Sequence, residues 1–225
     1  MTLATSSTLV RTNLFGENLV QPPKPLFVNS GISGNTTYDL LSRIDRDCLS
    51  YHPDLTILMV GTNDMNSMKY IPLSQYESNM RLIISKILKI GSKILLMSIL
   101  PVYEPYLYTR HKKEFYEPEG HQIRMKDMNI LIRKLAMEYK LSFLDMHHIF
   151  NAVGNIGENE NSLIRNMANS KKTDGVHPTA NGYIVMAVAI YEHIIQSHLP
   201  YNRIVCFGDS ITANGYPSYL ENLLK

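Results

Sequence analysis

The sequence is poor in cysteine, with only Cys48 and Cys206 in 225 residues, and neither has His or Cys neighbours at metal-ligand spacing. Cys206 sits inside an apolar run, so no disulfide is expected. Excess charge of either sign is also lacking: 22 Lys and Arg stand against 20 Asp and Glu, a net charge of +2. The longest basic feature, His111-Lys112-Lys113, is answered at once by Glu114. This pattern is that of a solvated face and argues against a nucleic-acid partner. No apolar run approaches the roughly 18 residues that span a bilayer. Residues 1 to 25 are rich in Thr, Ser and Asn and lack the basic start and apolar centre of a signal peptide. The expectation is a soluble cytoplasmic protein that binds no membrane. Repeats and domain-boundary linkers are absent as well, as is the G-x-S-x-G nucleophile elbow.

What is present is an ordinary globular mixture, 44% hydrophobic and 19% charged, at a length that suits one α/β domain. Pro22, Pro23 and Pro25 mark an extended lead-in, followed by a short strand, Leu26-Phe27-Val28-Asn29. Runs 55–61 (LTILMVG) and 93–100 (KILLMSIL) are continuously apolar and stopped by Gly61 and Pro101. That is the mark of strands buried on both faces of a parallel sheet. Residues 141–146 and Ile204 to Phe207 supply two further strands. Helical periodicity covers 38–49, 73–90 (capped by Ser74), 123–139 and a stretch from Thr179 to about His198. The stretches 102–121 and 151–173 read as surface excursions. Alternating strands and helices predict a doubly wound parallel sheet, in which sites collect at the carboxyl ends of strands.

Four polar motifs fall at such ends or in nearby loops. Gly208-Asp209-Ser210 presents a serine in the turn after a strand, where nearby N–H groups can bind an anion. Read structurally, the same residues are an ordinary helix cap. Asp174-Gly175-Val176-His177-Pro178 places a base and a carboxylate three residues apart in a tight loop, the partners a serine nucleophile needs. An Asx turn with a loop histidine explains those two equally well. Asn63 in Gly61-Thr62-Asn63-Asp64 offers a neutral donor suited to an oxyanion, or an Asx-type turn. Gly31-Ile32-Ser33-Gly34-Asn35 has neither G-x-G-x-x-G spacing nor a P-loop lysine, and better fits a loop offering a backbone N–H. His147-His148 beside Asp145 hints at metal, but in a strand the two neighbours point to opposite faces.

Together, FGDS, GISGN, GTND and DGVHP resemble the SGNH hydrolase family, also called GDSL esterases and lipases, over roughly residues 26 to 225. The resemblance implies a three-layer α/β/α sandwich around a parallel, flavodoxin-like sheet. It implies Ser210 as nucleophile, His177 as base and Asp174 as its carboxylate, with an oxyanion hole from Gly34, Asn63 and the Ser210 N–H. It implies no cofactor and no metal, and a small-molecule or carbohydrate ester as substrate, with short acyl groups such as O-acetyl favoured. A fold-retaining carbohydrate- or partner-binding protein and an acyltransferase with the same residues stand as alternatives.

One departure from the family is large: its GDS block comes first, whereas here it comes last. The chain therefore reads as a circular permutant, with residues 26 to 225 as the catalytic domain and 1 to 25 as a polar extension. Chain termini that lie close together make such permutation easy. Two other readings remain. Phe15-Gly16-Glu17-Asn18 resembles a decayed FGDS, and Ser210 could belong to a following domain of a tandem array. The run 204 to 207 is too apolar for an edge, so it is expected inside the sheet between the strands of Val28 and Leu58. Either its own chain or a partner, in a swapped homodimer, would supply that sheet.

Overall fold

Period-2 alternation explains the architecture. In the computed structural model, which describes residues 11–12, 18–19, 26–66 and 68–225, five strands form an all-parallel sheet. They are β3 (Leu26–Gly31), β4 (Leu55–Met59), β5 (Lys93–Met97), β6 (Ser142–Leu144) and β7 (Arg203–Gly208), in the order β3-β7-β4-β5-β6. Two two-residue strands, β1 (Arg11–Thr12) and β2 (Asn18–Leu19), pair antiparallel apart from it. Phe15, Gly16 and Glu17 and the prolines at 22, 23 and 25 lie outside the described residues.

Alternate residues of the central strands enter two separate cores, one on each face of the sheet. Leu58, Ile94, Leu96, Val205 and Phe207 pack with α1 (Thr37–Asp47), α2 (Leu73–Lys89) and α4 (His121–Glu138). Leu55, Ile57, Leu95, Ile204 and Cys206 pack with α5 (Met146–Val153), α7 (Ala180–Gln196) and α9 (Tyr216–Leu223). The result is a helix–sheet–helix sandwich. Cys48 and Cys206 are both buried free thiols, one in each core. Burial pushes both upward, Cys48 to about 11. β7 lies between β3 and β4, with Val28 opposite Val205 and Leu58 opposite Phe207.

Several boundaries differ from the sequence reading. α2 begins at Leu73, its N-cap is Pro72, and Ser74 makes no cap. Pro72, at φ −53° and ψ 145°, turns the chain into the helix without a side-chain acceptor. The 102–121 stretch holds a short helix, α3 (Glu104–Arg110), started by Pro105 in its first turn, and buries Leu107 and Tyr116. The 151–173 stretch ends in α6 (Met167–Ser170), capped by the buried Asn166. The strand expected at 141–146 is only three residues long. Asp145 accepts the His148 N–H at 3.1 Å and starts α5, so His147 and His148 lie on a helix and the strand-alternation argument does not apply to them. Among the described residues no helix is long and apolar enough to cross a membrane.

Candidate active site

The carboxyl ends of β3, β7 and β4 open onto a cleft of about 390 Å³. Its lining includes Gly34, Asn63, Asp174, His177 and Ser210, so the five residues singled out by sequence share one depression. A larger depression, about 700 Å³, is lined from α4, β6 and His147 and holds none of them.

Ser210 is the first residue of α8 (Ser210–Ala213), directly after β7. Asp209 caps that helix, accepting the Ile211 N–H at 2.9 Å, which leaves the serine hydroxyl at the cleft. Ser210 Oγ is 3.1 Å from His177 Nε2. On the other side of the ring, His177 Nδ1 is 2.9 and 3.0 Å from the two Asp174 carboxylate oxygens. Asp174 Oδ1 also accepts the backbone N–H groups of Val176 and His177, at 3.0 and 2.9 Å. The Asx turn and the Ser–His–Asp alignment thus hold at once. Gly175 makes this turn possible: its φ is +72°, and a Cβ there would meet the Tyr103 carbonyl oxygen at 2.6 Å.

Burial raises the Asp174 carboxyl, but the His177 ring and N–H and the Val176 N–H outweigh it and hold it well below the usual carboxylate range. Asp174 is therefore ionised at neutral pH and accepts a hydrogen bond from Nδ1–H, which keeps the ring proton on that nitrogen. This tautomer leaves Nε2 as an acceptor facing Ser210.

Gly34 adopts φ +79°, and its carbonyl accepts Lys69 Nζ at 2.5 Å. The Asn63 amide donates to the Asn35 carbonyl at 2.9 Å, which ties the GTND turn to the GISGN loop and leaves its second N–H available. Among the described residues the N–H groups of Gly34 and Ser210 donate to no protein acceptor.

Two arginines are part of this arrangement without any motif to announce them. Arg110, at the end of α3, donates to Asp174 Oδ1 at 3.0 Å and lies 3.4 Å from His177 Nδ1. The buried Arg43 donates to Asn35 Oδ1, Ser30 O and Gly208 O, and stacks over the Phe207 ring at 4.6 Å. It fastens the GISGN loop to β7. Neither position is distinguishable locally from a solvated helix residue.

Two carboxyls beneath the cleft are buried. Asp64 accepts from Thr37 N–H and Oγ at 3.0 and 2.7 Å, and its Oδ2 has no partner among the described residues. Burial pushes Asp64 up to about 6, against the pull of the Thr37 bonds. Burial likewise pushes Asp209 up to about 7, with the Ile211 N–H opposing. Each holds its proton to higher pH when folded than when unfolded. Their contribution to stability is therefore complete below about pH 4 and is lost as pH rises toward 7. Asp64→Asn removes one share of that slope. Its unfolding free energy relative to the wild type should increase by about 1–3 kcal/mol between pH 4 and pH 7. Urea melts at both pH values check this, and a pH-independent difference refutes it.

The sequence profile of the GDSL-like lipase/acylhydrolase family matches residues 7–185, which takes in Gly34, Asn63, Asp174 and His177 and stops short of Ser210. An acetylxylan esterase of Geobacillus stearothermophilus is 27% identical over 175 residues, 74% of this chain and 71% of that protein. Among solved structures, a GDSL-like lipase from Bacteroides thetaiotaomicron has a TM-score of 0.57 at 24% identity, covering 74% of each chain. A catalytic mutant of an acetylxylan esterase from Geobacillus stearothermophilus gives 0.55 at 24% identity, covering 73% of this chain and 69% of that one. These two likenesses speak for the fold, and the profile match over most of the sequence speaks for the family. The chain belongs to the GDSL-like lipase/acylhydrolase family and is a carboxylic ester hydrolase.

Proposed function

We propose that residues 26 to 225 form a circularly permuted serine esterase domain that removes short acyl groups, O-acetyl foremost, from carbohydrate. One observation carries the reading: Ser210 Oγ, the His177 ring and Asp174 form a continuous hydrogen-bonded line, with contacts of 3.1 and 2.9 Å. His177 Nε2 takes the serine proton as Oγ attacks the ester carbonyl, and Asp174 steadies the imidazolium that forms. The N–H groups of Gly34 and Ser210 and the Asn63 amide receive the oxyanion. His177 then protonates the leaving alcohol, and water, deprotonated by the same ring, frees the acyl group. Val102, Leu107 and Val176 give the cleft a short apolar wall, which suits a small acyl group. The similarity to an acetylxylan esterase supports acetyl as that group.

The permuted order is supported by the position of β7, paired in parallel with β3 and β4 of the same chain, with Ser210 at its carboxyl end.

Stoichiometric labelling by a serine-reactive phosphonate, mapped to Ser210, tests the nucleophile. Acetate release from acetylated oligosaccharide, with and without added alcohol, then separates hydrolysis from acyl transfer. Labelling elsewhere, or none, overturns the assignment. Asn63→Ala should lower kcat by about 10²–10³ as expected for one oxyanion donor. Turnover close to that of the wild type removes Asn63 from the mechanism.

A further inference from the structure

A second depression, also about 390 Å³, is lined by Arg110, Met167, Lys171, Lys172, Thr173 and Asp174. It shares Arg110 and Asp174 with the cleft, so the two adjoin at the Asp174 end of the Ser–His–Asp line. Their combined lining carries four cations, Arg110, Arg165, Lys171 and Lys172, against one carboxylate, Asp174. The whole chain has a surplus of only two positive charges. More net positive charge is thus gathered around this site than the entire molecule carries, and the remainder is slightly acidic.

Arg165 Nε donates to the Pro178 carbonyl at 2.9 Å and Lys171 Nζ to the Ala168 carbonyl at 3.4 Å, but these neutral acceptors leave the charges uncompensated. Asp174 is already engaged by His177, by two backbone N–H groups and by Arg110. Among the described residues no carboxylate lies within ion-pair reach of Arg165, Lys171 or Lys172. Arg110 spends one nitrogen, Nη1, on Asp174 and its side chain is 38% exposed. Nor is the lysine-bearing loop loosely placed. The buried Asn166 accepts the Asn169 N–H at 2.8 Å and donates to the carbonyls of Gly157 and Asn159. Arg165 N–H donates to the His177 carbonyl and Gly175 N–H to the Arg165 carbonyl, at 2.9 and 3.0 Å, which fastens this loop to the one carrying the base.

The chemistry decides which part of a substrate reaches this place. The leaving alcohol takes its proton from His177, so the alcohol portion of the ester lies toward the His177–Asp174 end. We infer that the depression is an anion subsite for that portion: the natural ester is an acylated sugar bearing a carboxylate, phosphate or sulfate, held by Arg110, Lys171 and Lys172. This rests on Ser210 and His177 acting as proposed above. The positive field would also raise the local concentration of such substrates in a salt-dependent way.

The full chain is assayed on acetyl esters matched except for charge: an acetylated glucoside, the corresponding glucuronoside and the corresponding sugar phosphate. The charged esters should be favoured in kcat/KM by roughly 10-fold at low ionic strength, and the preference should shrink with added salt. The Lys171→Gln/Lys172→Gln double variant should lose most of that ratio, chiefly through KM. The uronate and phosphate arms rank the anion. Equilibrium binding of glucose and glucuronate to Ser210→Ala protein reads the subsite without turnover, and glucuronate should bind more tightly. Equal binding of the two, a wild type without charge preference, or a preference the double variant retains overturns the subsite. Failure of the esterase reading is a separate result: no phosphonate label and no hydrolysis of any ester, whatever the binding data show.

Discussion

Ser210→Ala should lower kcat on an acetyl ester by about 10⁴–10⁶, His177→Ala should do so by a similar factor, and the double variant should be little worse than either. The size follows from the geometry. With the hydroxyl gone, Nε2 has no proton to receive, and with the ring gone, Oγ 3.1 Å away has no acceptor. Either loss disables the same step, so the second adds almost nothing. What remains should come from the proposed oxyanion donors and substrate binding, which both variants keep. Ser210 is only half-buried and lies outside both apolar cores, so its replacement leaves no cavity and the melting temperature should hardly move. Single-turnover and steady-state kinetics, with circular dichroism to verify folding, check all three proteins. More than a tenth of wild-type turnover in Ser210→Ala places the nucleophile elsewhere, and a strictly additive double variant denies that the pair acts together.

The parts of the molecule legible in its sequence are those where a local pattern and the global environment agree. β4, β5 and β7 are continuous apolar runs because both faces of a central parallel strand are covered. β6 is harder to read, since three half-buried residues at a sheet edge make little pattern. α5 was hidden by its neighbour: Leu141 to Met146 looks strand-like, and only the Asp145 cap marks where the period changes. The site motifs were legible because strand ends in such a sheet converge on one edge, so residues far apart in sequence arrive together. Arg110 and Arg43 were not. Arg110 acts across 64 residues from a helix in an excursion, and Arg43 across 165 residues to Gly208. A long-range polar contact leaves no periodicity behind. Asp64 and Asp209 stand inside recognisable motifs, yet their raised carboxyls come from burial, which the motif alone does not report.

Removal of residues 203 to 225 should cost the fold as well as the nucleophile. β7 lies between β3 and β4, so its loss strips β3 of its only ladder partner among the described residues and leaves β4 paired on one side. Ile204, Val205 and Phe207 are each at most 1% exposed, and burying such side chains contributes about 1.5–3 kcal/mol apiece. Ile211 and Leu220 from the segment that follows add similar amounts. The total, on the order of 10 kcal/mol, is comparable to the whole stability of a typical domain. Arg43 would also lose the Gly208 carbonyl and the Phe207 ring, leaving a buried guanidinium short of partners. The truncated chain should therefore show no cooperative melt and should partition into the insoluble fraction. A soluble, monomeric, cooperatively unfolding truncation would make the segment an appendage and end the permuted reading. Whose sheet β7 completes is settled by complementation. Ser210→Ala and His177→Ala chains, unfolded together and refolded as a mixture, regain activity only if β7 and Ser210 cross into a partner and build a site from two chains. Docking on its own chain predicts that the mixture stays as inactive as its components, because every site then lacks either the hydroxyl or the ring.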